Sequence, residues 1–267
     1  MTVNSLAETG DRTTREQLLR HLDAEFNKPF TSWDCSYLRG RIVEQSSTLP
    51  WDYEKTVRGL LSQSQGLLDM GTGDGEFLAA LSPLPKDTCA TEGWAPNISI
   101  ARRKLRPLGV TVTAITDKDI RLPLNDARFD LIINRHGSYT PFEVYRLLKP
   151  GGIFVTQQIG EKDNIELNAL LGVPDMFKTH RNWNLEVATL ELERAGFRMI
   201  ETNEAFLETK FHDVGAVVLY LKAHPCQIEE FSIEKYSEQL VALHKRIEEN
   251  ESVSFQSHRF FVMAMKP

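Results

Sequence analysis

The stretch Asp69-Met70-Gly71-Thr72-Gly73-Asp74-Gly75-Glu76-Phe77-Leu78 decides how this chain is read. The apolar run Leu67-Leu68-Asp69-Met70 reads as a short strand that runs into three alternating glycines, after which a helical pattern begins. Glycine lets a chain turn sharply and lets a ligand come close to the backbone. The start of the following helix offers free N–H groups and a partial positive charge. Strand, glycine spacing, acidic residue and helix occur together, which favours a ligand-holding turn over one that merely needs glycine.

Outward from this turn, short apolar runs alternate with helical segments between Gly66 and Ile159. Thr88 to Thr91, Val110 to Thr116, Phe129 to Asn134 and Ile153 to Gln158 read as four further strands. Ile98 to Leu105 and Pro141 to Leu148 read as helices, the second stopped by Lys149-Pro150-Gly151-Gly152. Such alternation predicts a parallel sheet with helices on both faces. On the N-terminal side, Leu18, Leu19, Leu22 and Phe26 recur at helical spacing, and Trp51-Asp52-Tyr53 opens a second helix. Beyond Gly160 the pattern predicts a helix over Asn184 to Ala195, a strand at Phe197 to Thr202 and a separate extended piece at Ala205 to Lys210. A helix capped by Asp213, an amphipathic helix carrying Ile233, Tyr236, Leu240, Leu243 and Ile247, and a last strand within Ser252 to Met265 follow.

Composition narrows the classes. The chain has 267 residues, 31 Lys+Arg and 37 Asp+Glu, hence a net charge of −6, with 41% hydrophobic and 25% charged residues. This is ordinary globular composition and weighs against broad electrostatic binding of nucleic acid. Cys35, Cys89 and Cys226 are scattered without a C-x-x-C pair, which argues against a disulfide framework or a structural metal site. No apolar run has the length a bilayer requires, and Met1 to Gly10 lack a signal-peptide core, so a soluble, cytoplasmic protein without a membrane partner is expected.

The charges around the turn discriminate between ligands. A dinucleotide fingerprint G-x-G-x-x-G requires glycine at position 76, where this chain has Glu76, and a pyrophosphate there meets an unfavourable charge. Asp69, ahead of the glycines, suits a ligand carrying an ammonium group. S-adenosylmethionine has an amine, a carboxylate, a ribose and a sulfonium but no phosphate, so the charges favour it over NAD. Asp69 to Gly75 reads D-x-G-x-G-x-G and resembles motif I of the class I S-adenosylmethionine-dependent methyltransferases. Glu92 closes the second strand, Leu122-Pro123 and Phe129-Asp130-Leu131-Ile132 are similar to the family's "LP…FDLV" stretch, and Leu147 to Gly152 to its "LLKPGG" turn. The resemblance covers about Trp51 to Gly160.

The resemblance implies a Rossmann-like, doubly wound α/β fold. Its sheet is expected to be mostly parallel and seven-stranded with helices on both faces, plus an N-terminal helical leader and a C-terminal helical insertion. The expected organisation is a leader or lid over residues 1–50 and a methyltransferase domain over 51–267. Within that domain, 51–160 forms the cofactor-binding half and 161–267 the substrate side and closing strands. Implied cofactor residues are Asp69, Gly71, Thr72 and Gly73 at the turn, Glu92 on the ribose, and Gly93 and Trp94 beside adenine. Asp117 on the adenine amine (with Asp119 as competitor), Lys118 through its backbone, Asn134 and Arg135 complete the set. No metal is needed for the chemistry.

Asn134 to Tyr139 follows the fourth strand and is expected to face the methyl group, because ligands in doubly wound sheets bind beyond the carboxyl ends of the strands. His136 is the leading candidate for a base or substrate ligand, against a histidine that only shapes its loop. Trp51, Tyr53, Tyr139 and Gln157 are the expected substrate-side residues, the first two also readable as core anchors. The run Arg102-Arg103-Lys104 and Arg106 reads as a solvated helix face, and the histidines at 212 and 258 as structural. Asn134-Arg135-His136-Gly137 stands where nucleobase and glutamine amino-methylating members carry an Asn/Asp-Pro-Pro-Tyr/Phe turn, so a small-molecule acceptor is expected. An RNA methyltransferase and a catalytically silent cofactor-binding module are the alternatives.

Overall fold

The computed structural model describes residues 4–28, 38–116, 119–173, 182–225 and 227–267, with side chains from residue 14 onward. Eight strands form one sheet: β1 (Ile42–Glu44), β2 (Gly66–Met70), β3 (Asp87–Glu92), β4 (Thr111–Ala114), β5 (Phe129–Arg135), β6 (Leu148–Ile159), β7 (Arg198–Phe211) and β8 (Val253–Met265). Their order is β1-β7-β8-β6-β5-β2-β3-β4. β4, β3, β2, β5 and β6 are mutually parallel, while β8 lies antiparallel to both β6 and β7. The order reverses between β2 and β5, which places a crevice at the carboxyl ends of these strands.

Adjacent residues on the central strands point to opposite faces and are both buried, as a sheet covered on two sides demands. Leu67, Leu131, Ile133, Val155 and Phe261 meet α2 (Tyr53–Leu61), α3 (Glu76–Ala80) and α4 (Ala95–Leu105). Leu68, Ile132, Phe154, Phe260 and Val262 meet α5 (Pro141–Leu147) and α7 (Leu185–Arg194). A third cluster packs α1 (Asn4–Phe26), α6 (Ile165–Leu170), α8 (Val214–Ala223) and α9 (Ser237–Asn250) around Phe211 and Phe255. Side-chain caps fix three helix starts: Asp52 accepts from Lys55 N, Asn184 from Val187 N and Asp213 from Ala216 N.

Three expectations are revised. The sheet has eight strands rather than seven, because Ile42–Glu44 of the leader pairs with the end of β7. The leader is therefore not purely helical. The pieces at 197–202 and 205–210 are one strand, since pairing with β8 continues through Asn203↔Phe261 and Glu204↔Phe260. β4 is shorter than the Val110 to Thr116 run that announced it. α8 and α9 supply the expected C-terminal helical insertion between β7 and β8.

Two residues of the family-like stretches work far from the crevice. Asp130 accepts from Gln65 N (3.0 Å) and Gly66 N (2.8 Å), and Lys149 Nζ donates to it at 3.0 Å. They tie the starts of β2, β5 and β6 together. No helix among the described residues is long and apolar enough to cross a membrane.

Candidate active site

All three turn glycines adopt the left-handed conformation, with φ of +74° at Gly71, +63° at Gly73 and +81° at Gly75. L-residues avoid this region, which explains the glycine spacing. A Cβ on Gly75 lies 2.9 Å from Leu105 Cγ, so glycine also lets α3 settle on α4. The turn is anchored to β3, with Gly71 N and Thr72 N donating to Thr91 O at 3.1 and 2.9 Å. α3 is only five residues long, and Lys104 holds the carboxylates of Asp74 and Glu76 at its start. The start of α3, which the sequence emphasised, is thus occupied by ion pairs of its own.

Asp69 and Glu92 are buried at the tips of β2 and β3, 5% and 6% exposed. Burial pushes the Asp69 carboxyl up to about 6, with Glu92 adding to the rise and Thr72 and Arg135 opposing it. Glu92 is also raised by burial, against the pull of backbone N–H groups. Its two oxygens accept from Gly73 N (2.6 Å) and Trp94 N (2.8 Å), so it links the two loops that flank the crevice. Near these acids, both Oδ1 and Nδ2 of Asn97 are buried with no hydrogen-bond partner, while the buried hydroxyls of Thr72 and Tyr53 reach only loosely toward Asp69 and the Asn134 backbone. Asn97 is fully buried on the inward face of α4, shared with Ala101 and Leu105. An unpaired buried polar atom costs about 1–3 kcal/mol, so a pair of them near two buried carboxylates fits a polar ligand that completes the hydrogen bonding.

The opposite wall comes from β5, β6 and the leader. Asn134 is fully buried and used within the sheet: Nδ2 donates to Met70 O (2.9 Å), and Oδ1 accepts from Thr156 Oγ1 (3.0 Å) and Gln158 Nε2 (2.5 Å). It supports the crevice floor. Arg135 stacks its guanidinium 4.2 Å over the Phe77 ring and forms no ion pair among the described residues. His136 has φ of +61°, a strained value for a side-chain-bearing residue, and its N–H donates to Gln157 O at 2.8 Å. Desolvation by the surrounding protein, with the charges of Arg259, Arg135 and His224, pushes its pKa well below the usual range, although the residue as a whole keeps contact with solvent. Gln157 places Nε2 3.3 Å from His136 Nε2 and accepts from Trp51 Nε1 at 2.8 Å through Oε1. An open cleft of ≈500 Å³ lies here, lined by Ser46, Leu49, Trp51, Tyr53, Arg135 and Gln157.

The expected residues thus separate. Asp69, Gly71, Thr72, Gly73 and Glu92 meet at the turn, Gly93 and half-buried Trp94 continue from it, and Trp51, Tyr53, Arg135, His136 and Gln157 meet at the other wall. Trp51 and Tyr53 are core anchors as well as wall, stacking with or edging onto Phe261. Tyr139 packs against Phe154 and Trp183 in the core under α5 and α7. Burial raises its phenol pKa. Asp117 and Lys118 lie outside the described residues, and Asp119 uses its carboxylate on Thr116 N and Oγ1. His258 is enclosed, with Glu204 Oε1 2.9 Å from Nε2 and Lys162 N donating to Nδ1. Sequence reasoning missed Asn97, Arg259 and His224. Only the position of Asn97 just after the β3 tip hinted at its place.

Comparison with known proteins agrees with this geometry. Residues 68–156 match a methyltransferase domain model. A malonyl-[acyl-carrier protein] O-methyltransferase of Marinomonas sp. (strain MWYL1) is 29% identical over 131 residues, covering 45% of this chain and 48% of that relative. The matched part therefore spans about half the relative's length. A proposed methyltransferase from Bacillus halodurans C-125 shares the fold with TM-score 0.57 and 18% identity over 80% of this chain and 97% of its own. A protein of unknown function from Deinococcus radiodurans R1 does so with TM-score 0.58 and 14% identity over 85% and 91%. The glycine turn, the buried acids and the strand order fall on the residues that match the methyltransferase domain model, and the fold is that of the methyltransferase-like structures.

Proposed function

We propose that the protein transfers a methyl group from S-adenosylmethionine to a small-molecule acceptor. The observation that carries this reading is the pairing of buried Asp69 and Glu92 with the left-handed glycine turn and the unpartnered amide of buried Asn97. Asp69 serves the amine of the cofactor and Glu92 its ribose diol, with Gly71, Thr72, Gly73, Gly93 and Trp94 shaping the seat and Asp117 and Lys118 at its adenine end. When bound, the cofactor supplies a methyl on a sulfonium, whose C–S electron pair stays with sulfur while the acceptor's lone pair forms the new bond. The protein's task is alignment and exclusion of water. His136 contacts the acceptor, Arg135 and Gln157 flank it, and Trp51 and Tyr53 close the wall. In this reading residues 1–50 are a cover on the acceptor side, 51–160 the cofactor half and 161–267 the substrate side.

Calorimetry with S-adenosylhomocysteine and with NADH tests the cofactor assignment: binding of the first and not the second is expected, and the reverse overturns it. A screen of metabolite pools with labelled methyl donor, read by product mass, identifies the acceptor. The Marinomonas relative is named for malonyl-[acyl-carrier protein], so that compound belongs in the screen. Retention of RNA that falls steeply with salt marks the nucleic-acid alternative.

A further inference from the structure

Trp51, Gln157 and His136 form a chain of hydrogen bonds whose direction is fixed at one end. The indole Nε1–H can only donate. It lies 2.8 Å from Gln157 Oε1, so that atom must be the amide oxygen, because a flipped amide sets two donors against each other. The amide NH₂ then faces His136 Nε2 at 3.3 Å. An amide NH₂ cannot accept, so Nε2 of His136 must carry the lone pair and Nδ1 the proton.

From this geometry we infer that Trp51 and Gln157 are positioning residues that hold His136 as the neutral Nδ1–H tautomer. His136 is thereby a hydrogen-bond donor to an acceptor that has no proton to lose, such as a carboxylate. The inference rests on the methyltransferase reading for its acceptor but not for its tautomer. Protonating His136 needs an acceptor at Nε2, which requires the Gln157 amide to turn over and give up the Trp51 bond. The charges facing the ring act in the same direction. Arg135 precedes it, Arg259 of β8 and His224 after α8 approach from the other elements, and all three disfavour an imidazolium. Arg259 is itself tied to Asp163 and Glu44, so these carboxylates are already engaged with it. A base that is hard to protonate at neutral pH serves poorly for an alcohol or an ammonium acceptor. An oxygen anion that takes up a methyl group becomes a neutral ester and releases no proton, so it requires no base. Arg135, without an ion-pair partner among the described residues, is placed to balance the charge of such an acceptor.

Nitrogen-15 NMR of histidine-labelled, ligand-free protein reads the tautomer directly, with His136→Asn used to assign the resonances. The expected spectrum shows His136 as Nδ1–H and not titrating near neutral pH. Trp51→Phe keeps an aromatic ring against Phe261 but removes the donor, and Gln157→Glu puts an acceptor at Nε2. Each should move the proton toward Nε2 and raise the titration midpoint by about one pH unit or more. A wild-type Nε2–H form, or two folded variants with the wild-type tautomer and midpoint, overturns the positioning role. The acceptor class is read from the labelled product: a methyl ester releases its label as methanol in alkali, whereas alkali-stable label overturns the carboxylate assignment. Failure to bind S-adenosylhomocysteine is a separate result that overturns the methyltransferase reading and leaves the tautomer measurement intact.

Discussion

Two of the groups of buried polar side chains among the described residues are built differently. Near the tips of β2 and β3, the amide of Asn97 is unpaired and the hydroxyls of Tyr53 and Thr72 are only loosely held, close to Asp69 and Glu92. Behind the end of β6, the buried polar side chains answer one another. Asp163 accepts from Arg259, from His258 N at 2.9 Å, from Tyr220 Oη at 3.1 Å and from Asn164 Nδ2 at 3.1 Å. Gln227 Nε2 reaches Asn168 Oδ1 at 2.7 Å, and only Asn164 Oδ1 in this group is left over. A satisfied network stabilises a fold; an unsatisfied one is a place where stability has been given up for a ligand. The contrast is independent of any sequence motif.

The comparison can be broken most forcefully at Asp163. Asp163→Ala leaves Arg259 and Tyr220 buried without their shared acceptor and should cost about 3–5 kcal/mol of stability, read as a fall in the urea midpoint. A smaller effect of opposite sign is expected at Asp69. Its carboxyl is at about 6 when folded, above the roughly 3.9 of an unfolded chain. The native state therefore holds the proton more tightly, and the stability this group contributes is present below about pH 4 and lost as pH rises through 6. Asp69→Asn should remove that slope and stabilise the ligand-free protein at pH 7 by on the order of 2 kcal/mol. Urea midpoints at pH 4, 5, 6 and 7 check this.

Glu92→Ala should weaken S-adenosylhomocysteine binding by about 1.5–3 kcal/mol in calorimetry through loss of charge-assisted hydrogen bonds. An unchanged affinity in both the Glu92 and Asp69 variants sinks the assignment of this crevice to the cofactor. The smallest stability change sharpens the contrast. Asn97→Ala empties a fully buried position yet also removes two unpaired atoms, so ligand-free stability should move by less than about 1 kcal/mol, while S-adenosylhomocysteine binds more weakly. A loss comparable to that of Asp163→Ala means that Asn97 is an ordinary core residue.

The β2–β3 region was legible because its signals are local. Left-handed turns demand glycine at 71, 73 and 75, and Glu92 is visible as the acid that closes a short strand-like run. The acceptor side was legible only as residue types. His136 and Gln157 were flagged, but the tautomer depends on Trp51, which lies 106 positions from Gln157 in sequence. Asn134, assigned to the cofactor, instead pins three strands through bonds to residues 64, 22 and 24 positions away. Tyr139 looked like a loop residue and is core, because the sequence does not say where Phe154 and Trp183 will converge.

The parallel strands, the glycine turn, the helix cap at Asp213 and the methyltransferase resemblance were readable from sequence, since each depends on neighbours within a few residues or on a fixed spacing. Tertiary structure alone decided that the leader adds an eighth strand, that β7 runs unbroken through its polar middle, that Arg259 and His224 face His136, and which polar atoms go unpaired. Those outcomes require segments far apart in the chain to be brought together. Hydrogen-bond satisfaction and desolvation are properties of the assembled interior, not of any stretch of residues.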